Sequence, residues 1–190
     1  MRLMEEKILS EGKVLPGGIL KVGSFLNQQL DMVFFKEMAK EIARLFTNDK
    51  VTKILTVEAS GIAIAVAAGL EMNIPVVFAK KHQTTNLDGG VYCANVYSFT
   101  HGTTYQIVVS EDYLNQNDTV LLVDDFLANG KALEGLCEIV SQANSSLAGA
   151  AIAIEKHFQG GGAALRSKGI RIESLAKIKS MGDDGSIEFF

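Results

Sequence analysis

Residues 120–132 constrain this chain more than any other stretch. They run Val-Leu-Leu-Val-Asp-Asp-Phe-Leu-Ala-Asn-Gly-Lys-Ala. The apolar residues Val120 to Val123 have the length and branching of a strand buried on both faces of a parallel sheet. Asp124 and Asp125 are expected to end it. A short loop with Asn129 and Gly130 then leads into a helical pattern carrying Leu133, Leu136, Cys137 and Val140. A strand, a tight loop and a helix start gather free backbone N–H groups at one point, where the helix dipole favours an anion. Carboxylates beside such a cradle would repel a bare nucleotide, but they suit sugar hydroxyls or a magnesium ion. A bare Val-Asp-Asp is more often the plain end of a buried strand, so the argument rests on the whole unit. It is not a Walker A loop, because the Gly-x4-Gly-Lys-Ser/Thr spacing is missing.

The chain has 190 residues, enough for one α/β domain with a real core. Hydrophobic residues make up 47% and charged residues 21%, which excludes a disordered chain. The net charge of −4 gives no footprint for nucleic acid or an anionic membrane. Gly61 to Leu70, the longest apolar run, is about half of what a membrane span needs. Met1 to Gly12 is charged and reads as a short helix, not a signal peptide. Cys93 and Cys137 are far apart in apolar patterns, as free thiols in a reducing cytosol would be. His82, His101 and His157 have no metal-ligand spacing.

The remaining pattern alternates strands and helices. Leu3, Met4, Ile8 and Leu9 stripe the first helix, and Pro16-Gly17-Gly18 breaks it. Residues 19–22 read as a strand with a loop to Asn27. Asp31 should cap a long helix carrying Phe34, Phe35, Met38, Ile42, Leu45 and Phe46. A strand over 53–57, a small-residue helix over 62–72 and a strand over 76–79 form a βαβ unit, which implies a parallel pair. Residues 80–90 read as a loop. Residues 91–99 and 104–110 alternate as two antiparallel strands joined by 100–103. After the acidic strand come a helix over 131–143, a strand over 147–154, a Gly-rich turn at 160–162 and a helix over 163–168. Strands over 170–178 and 187–190 close the chain.

In an open parallel sheet, ligands bind beyond the carboxyl ends of the strands. Four predicted ends carry polar residues: Glu58-Ala59-Ser60-Gly61, Lys80-Lys81, Asp124-Asp125 and Glu155-Lys156. Singly each is ordinary, since a lysine after a strand is usually a solvated charge and Ser-Gly usually a cap. Together on one edge they suit a ligand with several phosphates and a sugar.

The 120–132 unit resembles the phosphoribosyl pyrophosphate (PRPP) signature of the type I phosphoribosyltransferases. Longer stretches are similar to the bacterial xanthine branch of that family: Gly18-Ile-Leu-Lys-Val-Gly-Ser-Phe-Leu-Asn-Gln-Gln-Leu-Asp31, Phe78-Ala-Lys-Lys-His82, Val96-Tyr-Ser-Phe-Thr100, Val123-Asp-Asp-Phe-Leu-Ala-Asn-Gly130 and Ile154-Glu-Lys-His-Phe158. The resemblance covers nearly the whole chain. It implies one α/β domain over residues 1–190, with the type I phosphoribosyltransferase fold. That fold has a mostly parallel sheet with flanking helices, a hairpin insertion, and a small hood formed by residues 1–30 and the C-terminal region.

The resemblance also implies a function, namely making xanthosine monophosphate and pyrophosphate from xanthine and PRPP, with Mg²⁺ carried by PRPP. It implies a cytoplasmic homodimer with no nucleic-acid or membrane partner. Ala128, Asn129, Gly130, Lys131 and Ala132 would cradle the ribose phosphate, and Asp124 and Asp125 would hold the ribose hydroxyls. Glu58 to Gly61, with Ser60 and Gly61 foremost, and Lys81 would meet pyrophosphate. Leu20 and Asn27 would belong to the hood, and Lys156 would contact the purine oxygens. Asn27 could instead only cap a turn, Leu20 could be simple core, and either Lys80 or Lys81 could be the phosphate contact.

The sequence departs from the wider family at Ala128, where hypoxanthine-guanine relatives carry a carboxylate proposed as the base for the purine N7 proton. No general base is therefore assigned. Asn129 stands where other relatives have threonine, one hydrogen-bonding residue for another. A guanine or hypoxanthine specificity stays open, because base choice rests on a few hydrogen bonds. A PRPP-sensing regulator of the same fold is disfavoured, since only residues 1–30 precede the first long helix and the charge is acidic.

Overall fold

The computed structural model describes residues 1–81, 90–98 and 102–190. Residues 100 and 101 of the expected turn and most of the 80–90 loop lie outside the described residues, as do His82 and His101. Helix α1 (Arg2–Glu11) buries Met4 and Ile8. Strands β1 (Lys13–Leu15) and β2 (Ile19–Lys21) pair as a hairpin around Pro16 to Gly18. The sequence pattern revealed only β2. Gly23–Asn27 forms one π-helical turn instead of a loop, and it buries Phe25 and Leu26. The Asp31 carboxylate caps α2 (Met32–Leu45), accepting from the N–H groups of Val33 and Phe34 at 3.1 Å each. A short polar side chain at this position satisfies donors that the first turn leaves open.

Strand β3 (Lys53–Val57), helix α3 (Ser60–Met72) and strand β4 (Val76–Ala79) form the expected parallel unit. Strands β5 (Val91–Ser98) and β6 (Thr103–Ser110) form an antiparallel hairpin. It packs on the later helix, with a backbone bridge from Lys80 to Val108 tying it to the sheet edge. Then come β7 (Thr119–Leu127), α4 (Lys131–Gln142), β8 (Ser146–Lys156), α5 (Gly161–Ser167), β9 (Ile172–Met181) and β10 (Ile187–Phe189).

The main sheet has the order β10-β9-β8-β7-β3-β4, and only β10 runs antiparallel to its neighbour. One face is covered by α1, α2, α3 and the segment carrying Phe25 and Leu26. The other is covered by α4, α5 and the β5–β6 hairpin. Burial on both faces is why the central strands read as unbroken apolar runs. Among the described residues, no helix is long and apolar enough to cross a membrane.

Two boundaries differ from the sequence pattern in one instructive way. Asp124 and Asp125 do not end β7; the ladder with β8 continues from Asp124 opposite Ile152 to Leu127 opposite Glu155. Likewise Glu155 and Lys156 are the last residues of β8, not the residues after it. Strand pairing is a backbone property and runs on past the point where the side chains stop being apolar. Helix α5 also starts two residues early, at Gly161, inside the supposed turn.

Candidate active site

The sheet opens where its order reverses. From β3 the chain steps to β4 on one side and later to β7 on the other, which makes this edge the switch point. The ladder between β3 and β7 runs only to Leu55 opposite Leu122, two residues short of Asp124. Beyond it, among the described residues, β7 is paired only with β8. The start of α3 rests over the gap. A Cβ added at Gly61 would lie 2.2 Å from Thr56 Oγ1 and 3.0 Å from Asp124 Oδ1, so only glycine lets the helix approach this closely. The expected pyrophosphate loop is thereby brought against the acidic strand. The peptide between Glu58 and Ala59 in this loop is cis.

Asp124 is 7% exposed, and its Oδ1 accepts from the Asp125 N–H at 2.9 Å. Burial first, and the neighbouring Asp125 carboxylate second, push its pKa well above the ordinary range; Lys81 offsets this only in part. Among the described residues no ion pair reaches Asp124, and a buried carboxylate without one suits a cation or hydroxyl donors. Beside it, the Thr56 hydroxyl is buried with no hydrogen-bond partner among the described residues. Asp125 is half-buried and accepts from the Phe126 N–H at 3.0 Å.

The loop after β7 has the expected form. Gly130 sits at φ +79° at the start of α4, a left-handed position that glycine takes without strain. A cavity of about 200 Å³ is lined by Asp124, the 126–133 segment, Ile152 and residues of the β5–β6 hairpin including Tyr105. The free N–H groups of the first helical turn open beside this loop. Asn129 is exposed and Gly130 buried. The Lys131 ammonium pairs with Glu134 at 2.7 Å along the helix.

Lys81 belongs to the same edge. Its N–H donates to Glu58 Oε1 at 2.6 Å and its ammonium lies 5.4 Å from the Tyr105 ring centre. Lys80 is exposed, and its backbone is taken up in the bridge to Val108. Burial, and then the Asp124 charge, raise the Tyr105 pKa. Ser60 is the first residue of α3.

At the other end of the cleft the half-buried Lys156 ammonium donates to the Gly18 carbonyl at 2.9 Å and lies 5.4 Å from the Phe126 ring centre. Burial lowers its pKa. The hood therefore meets Lys156 through Gly18, a residue that sequence reasoning did not single out. Leu20 is 6% exposed and packs in the core with Val22, Phe25 and Phe34, so it is a wall and not a projecting contact. Asn27 is exposed at the end of the π-helical turn.

Sequence reasoning placed Glu155 at a strand end on the ligand edge but missed its partner, Arg166. The Glu155 side chain is fully buried and receives two hydrogen bonds from Arg166 at 2.7 Å each, one from Ser174, and a 3.4 Å contact from His157 Nδ1. Burial works to raise its pKa, but the Arg166 and Ser174 hydrogen bonds outweigh it and hold it at about 2. The signal was a glutamate inside an apolar strand, which needs a cation from elsewhere in the chain.

Sheet order, phosphate loop and paired carboxylates together define an enzyme class that handles a phosphorylated sugar. The family described as the phosphoribosyl transferase domain matches residues 26–162. The chain is 53% identical over 187 residues to a xanthine phosphoribosyltransferase of Finegoldia magna, with 98% of each chain covered. It is 51% identical over 189 residues to one of Bacillus cereus strain G9842, covering 100% of this chain and 95% of the relative. The solved adenine phosphoribosyl transferase from Trypanosoma brucei, in complex with AMP, pyrophosphate and ribose-5-phosphate, superposes with a TM-score of 0.78 at 16% identity. The superposition covers 96% of this chain and 82% of that one, and a likeness at such low identity shows the fold alone. The chain belongs to the phosphoribosyltransferase family and, within it, to the xanthine phosphoribosyltransferases.

Proposed function

We propose that the chain transfers the phosphoribosyl group of PRPP to xanthine, releasing pyrophosphate and forming xanthosine monophosphate. The observation that carries this reading is the desolvated Asp124, with Asp125, set between a helix-start phosphate loop and the glycine-opened start of α3. Backbone N–H groups of 128–132 hold the 5′-phosphate. Asp124 and Asp125 accept from the ribose hydroxyls, and Ser60, Gly61 and Lys81 meet the pyrophosphate. Lys156 faces the purine oxygens, while Leu20 and Asn27 form part of the hood. One domain over residues 1–190, working as a cytoplasmic homodimer, completes the reading, supported by the family likeness.

Among the described residues, no three His, Cys, Asp or Glu side chains gather in a metal-binding group. Two carboxylates short of positive charge fit a Mg²⁺ ion that arrives with PRPP and completes its shell with ligand oxygens and waters. Bound there, such an ion neutralises the departing pyrophosphate. The protein's own part is to position the substrates, exclude water and hold the charges that develop. The ribosyl–pyrophosphate bond breaks toward an oxocarbenium-like sugar, and a xanthine ring nitrogen attacks from the opposite face. Xanthine is acidic for a purine, which reduces the need for the carboxylate that Ala128 replaces.

The test supplies PRPP, Mg²⁺ and each of xanthine, guanine, hypoxanthine and adenine in turn, with product separated by chromatography. Xanthosine monophosphate should form with the highest kcat/KM and should vanish in excess chelator. Absence of that product, or full activity in chelator, overturns the reading.

A further inference from the structure

Glu155 and Lys156 are consecutive in β8, so their side chains point to opposite faces of the sheet. Lys156 reaches the hood at Gly18, and the buried Glu155 carboxylate turns the other way, onto the partly exposed Arg166. In the ladder Glu155 sits opposite Leu127, the residue immediately before the phosphate loop. Arg166 lies on α5 and its Nη2 also donates to the Ile172 carbonyl at 3.2 Å, which locks the helix to β9 as well. The first residue of α5 touches the loop directly. The Gly161 N–H donates to the Ala128 carbonyl at 3.1 Å, and a Cβ at Gly161 would lie 2.3 Å from that oxygen and 2.5 Å from the Gly130 nitrogen. The next residue, Gly162, leaves room for the ion pair itself, since a Cβ there would lie 2.2 Å from Glu155 Oε1.

A continuous chain of contacts therefore runs from the root of the proposed base lysine, through Glu155 and Arg166, along the start of α5, to the carbonyl of Ala128. We propose that Glu155 and Arg166 are positioning residues that set the phosphate loop and so couple PRPP affinity to the strand end bearing Lys156. Neither touches the substrates; they act through Gly161 and the backbone of 128–130. The inference rests on the proposed function, because the loop is taken to hold PRPP.

The test reads Mg–PRPP binding by titration calorimetry with no purine present, well below the melting temperature of each variant. Arg166→Lys keeps the charge but loses the two-pronged geometry. It should weaken PRPP binding roughly tenfold, since small displacements of a binding group carry penalties of that order or larger. Gly161→Ala should weaken it at least as much. The double variant should weaken it by less than the product of the two, because both act on one contact. Arg171→Lys, at an exposed ion pair with Asp49, should leave binding unchanged. Ser174→Ala removes a single hydrogen bond to Glu155 and should weaken binding in the same direction, which keeps a reading if Arg166→Lys does not fold.

A lower melting temperature with PRPP affinity within about twofold of wild type in Arg166→Lys would make the pair a purely structural one and overturn the inference. So would full additivity with Gly161→Ala. If the wild type itself binds no Mg–PRPP, the functional reading and the inference fall together. If it binds and the variants match it, only the inference falls.

Discussion

Strands β7 and β8 lie side by side, and each carries a buried carboxylate near its carboxyl end. Asp124 on β7 is 7% exposed and Glu155 on β8 is 0% exposed, yet their protonation equilibria move in opposite directions. Glu155 is met by the Arg166 fork and Ser174. Asp124 has a backbone N–H, a second carboxylate beside it and only the distant help of Lys81. Burying a charge is tolerable when the fold supplies its partners and unfavourable when it does not. On the proposed reading, the difference separates a carboxylate that completes its contacts within the chain from one left for a ligand. Perturbed groups cluster at functional sites for this reason.

The comparison breaks most sharply at Asp125. Asp125→Asn removes a charge that should meet the ribose hydroxyls while leaving a shape that still accepts from Phe126. We expect kcat/KM to fall by about a hundredfold or more, as removal of a positioned polar group at a reacting sugar does. The melting temperature should stay within roughly 2 °C, the scale of a surface-like change. Near wild-type turnover, or simple unfolding, would place Asp125 with the structural carboxylates.

Lys156→Ala sharpens the contrast at the end of β8. Loss of an ammonium from a purine oxygen leaves a desolvated acceptor unpaired, on the order of 1–3 kcal/mol. That corresponds to roughly a ten- to hundredfold rise in KM for xanthine. KM for PRPP should move much less, because PRPP binds through 124–132. Equal weakening for both substrates would mean that the Gly18 contact holds the hood and nothing more. The smallest effect belongs to Lys131→Ala. Its ammonium is already paired with Glu134, so PRPP affinity should change by less than about threefold. A larger loss would return the lysine charge to the phosphate cradle.

Much of the fold was legible because its strands are buried on both faces and its helices have apolar stripes. The 53–57, 76–79 and 120–123 runs declare themselves by composition, and Asp31 declares the start of α2. The phosphate loop was legible because Asn129-Gly130 precedes a helix whose geometry needs that glycine. Asp124 and Asp125 looked like a terminus because polarity was taken for the end of pairing, whereas the β8 backbone goes on supplying partners to Leu127. Glu155 with Arg166 and Lys156 with Gly18 were invisible for another reason. The first joins β8 to the helix that follows it and the second joins β8 to the turn of the separate β1–β2 hairpin, so neither shows as periodicity within one element. The Gly160-Gly161-Gly162 run read as a turn, but Gly160 takes a φ of +79°, Gly161 packs on the loop and Gly162 on the Glu155–Arg166 pair.

The most direct measurement is unfolding stability against pH for the wild type, Asp124→Asn and Glu155→Gln. The pKa of Asp124 is raised, so its favourable contribution is present at low pH and is lost as pH rises from the ordinary aspartate range through the raised value. Glu155 is lowered from 4.5 to about 2, so its contribution is present above pH 4.5 and is lost as pH falls through about 2. At pH 7, Glu155→Gln should therefore cost about 3 kcal/mol, the penalty for breaking a buried pair. That is roughly 6–12 °C in melting temperature for a chain of this size. The loss should shrink as the solution is acidified below pH 4.5. Asp124→Asn should leave stability at pH 7 unchanged or higher, while Mg–PRPP binding collapses. Equal destabilisation by the two substitutions at pH 7, or unimpaired PRPP binding by Asp124→Asn, would contradict the division between a carboxylate that completes the fold and one that waits for substrate.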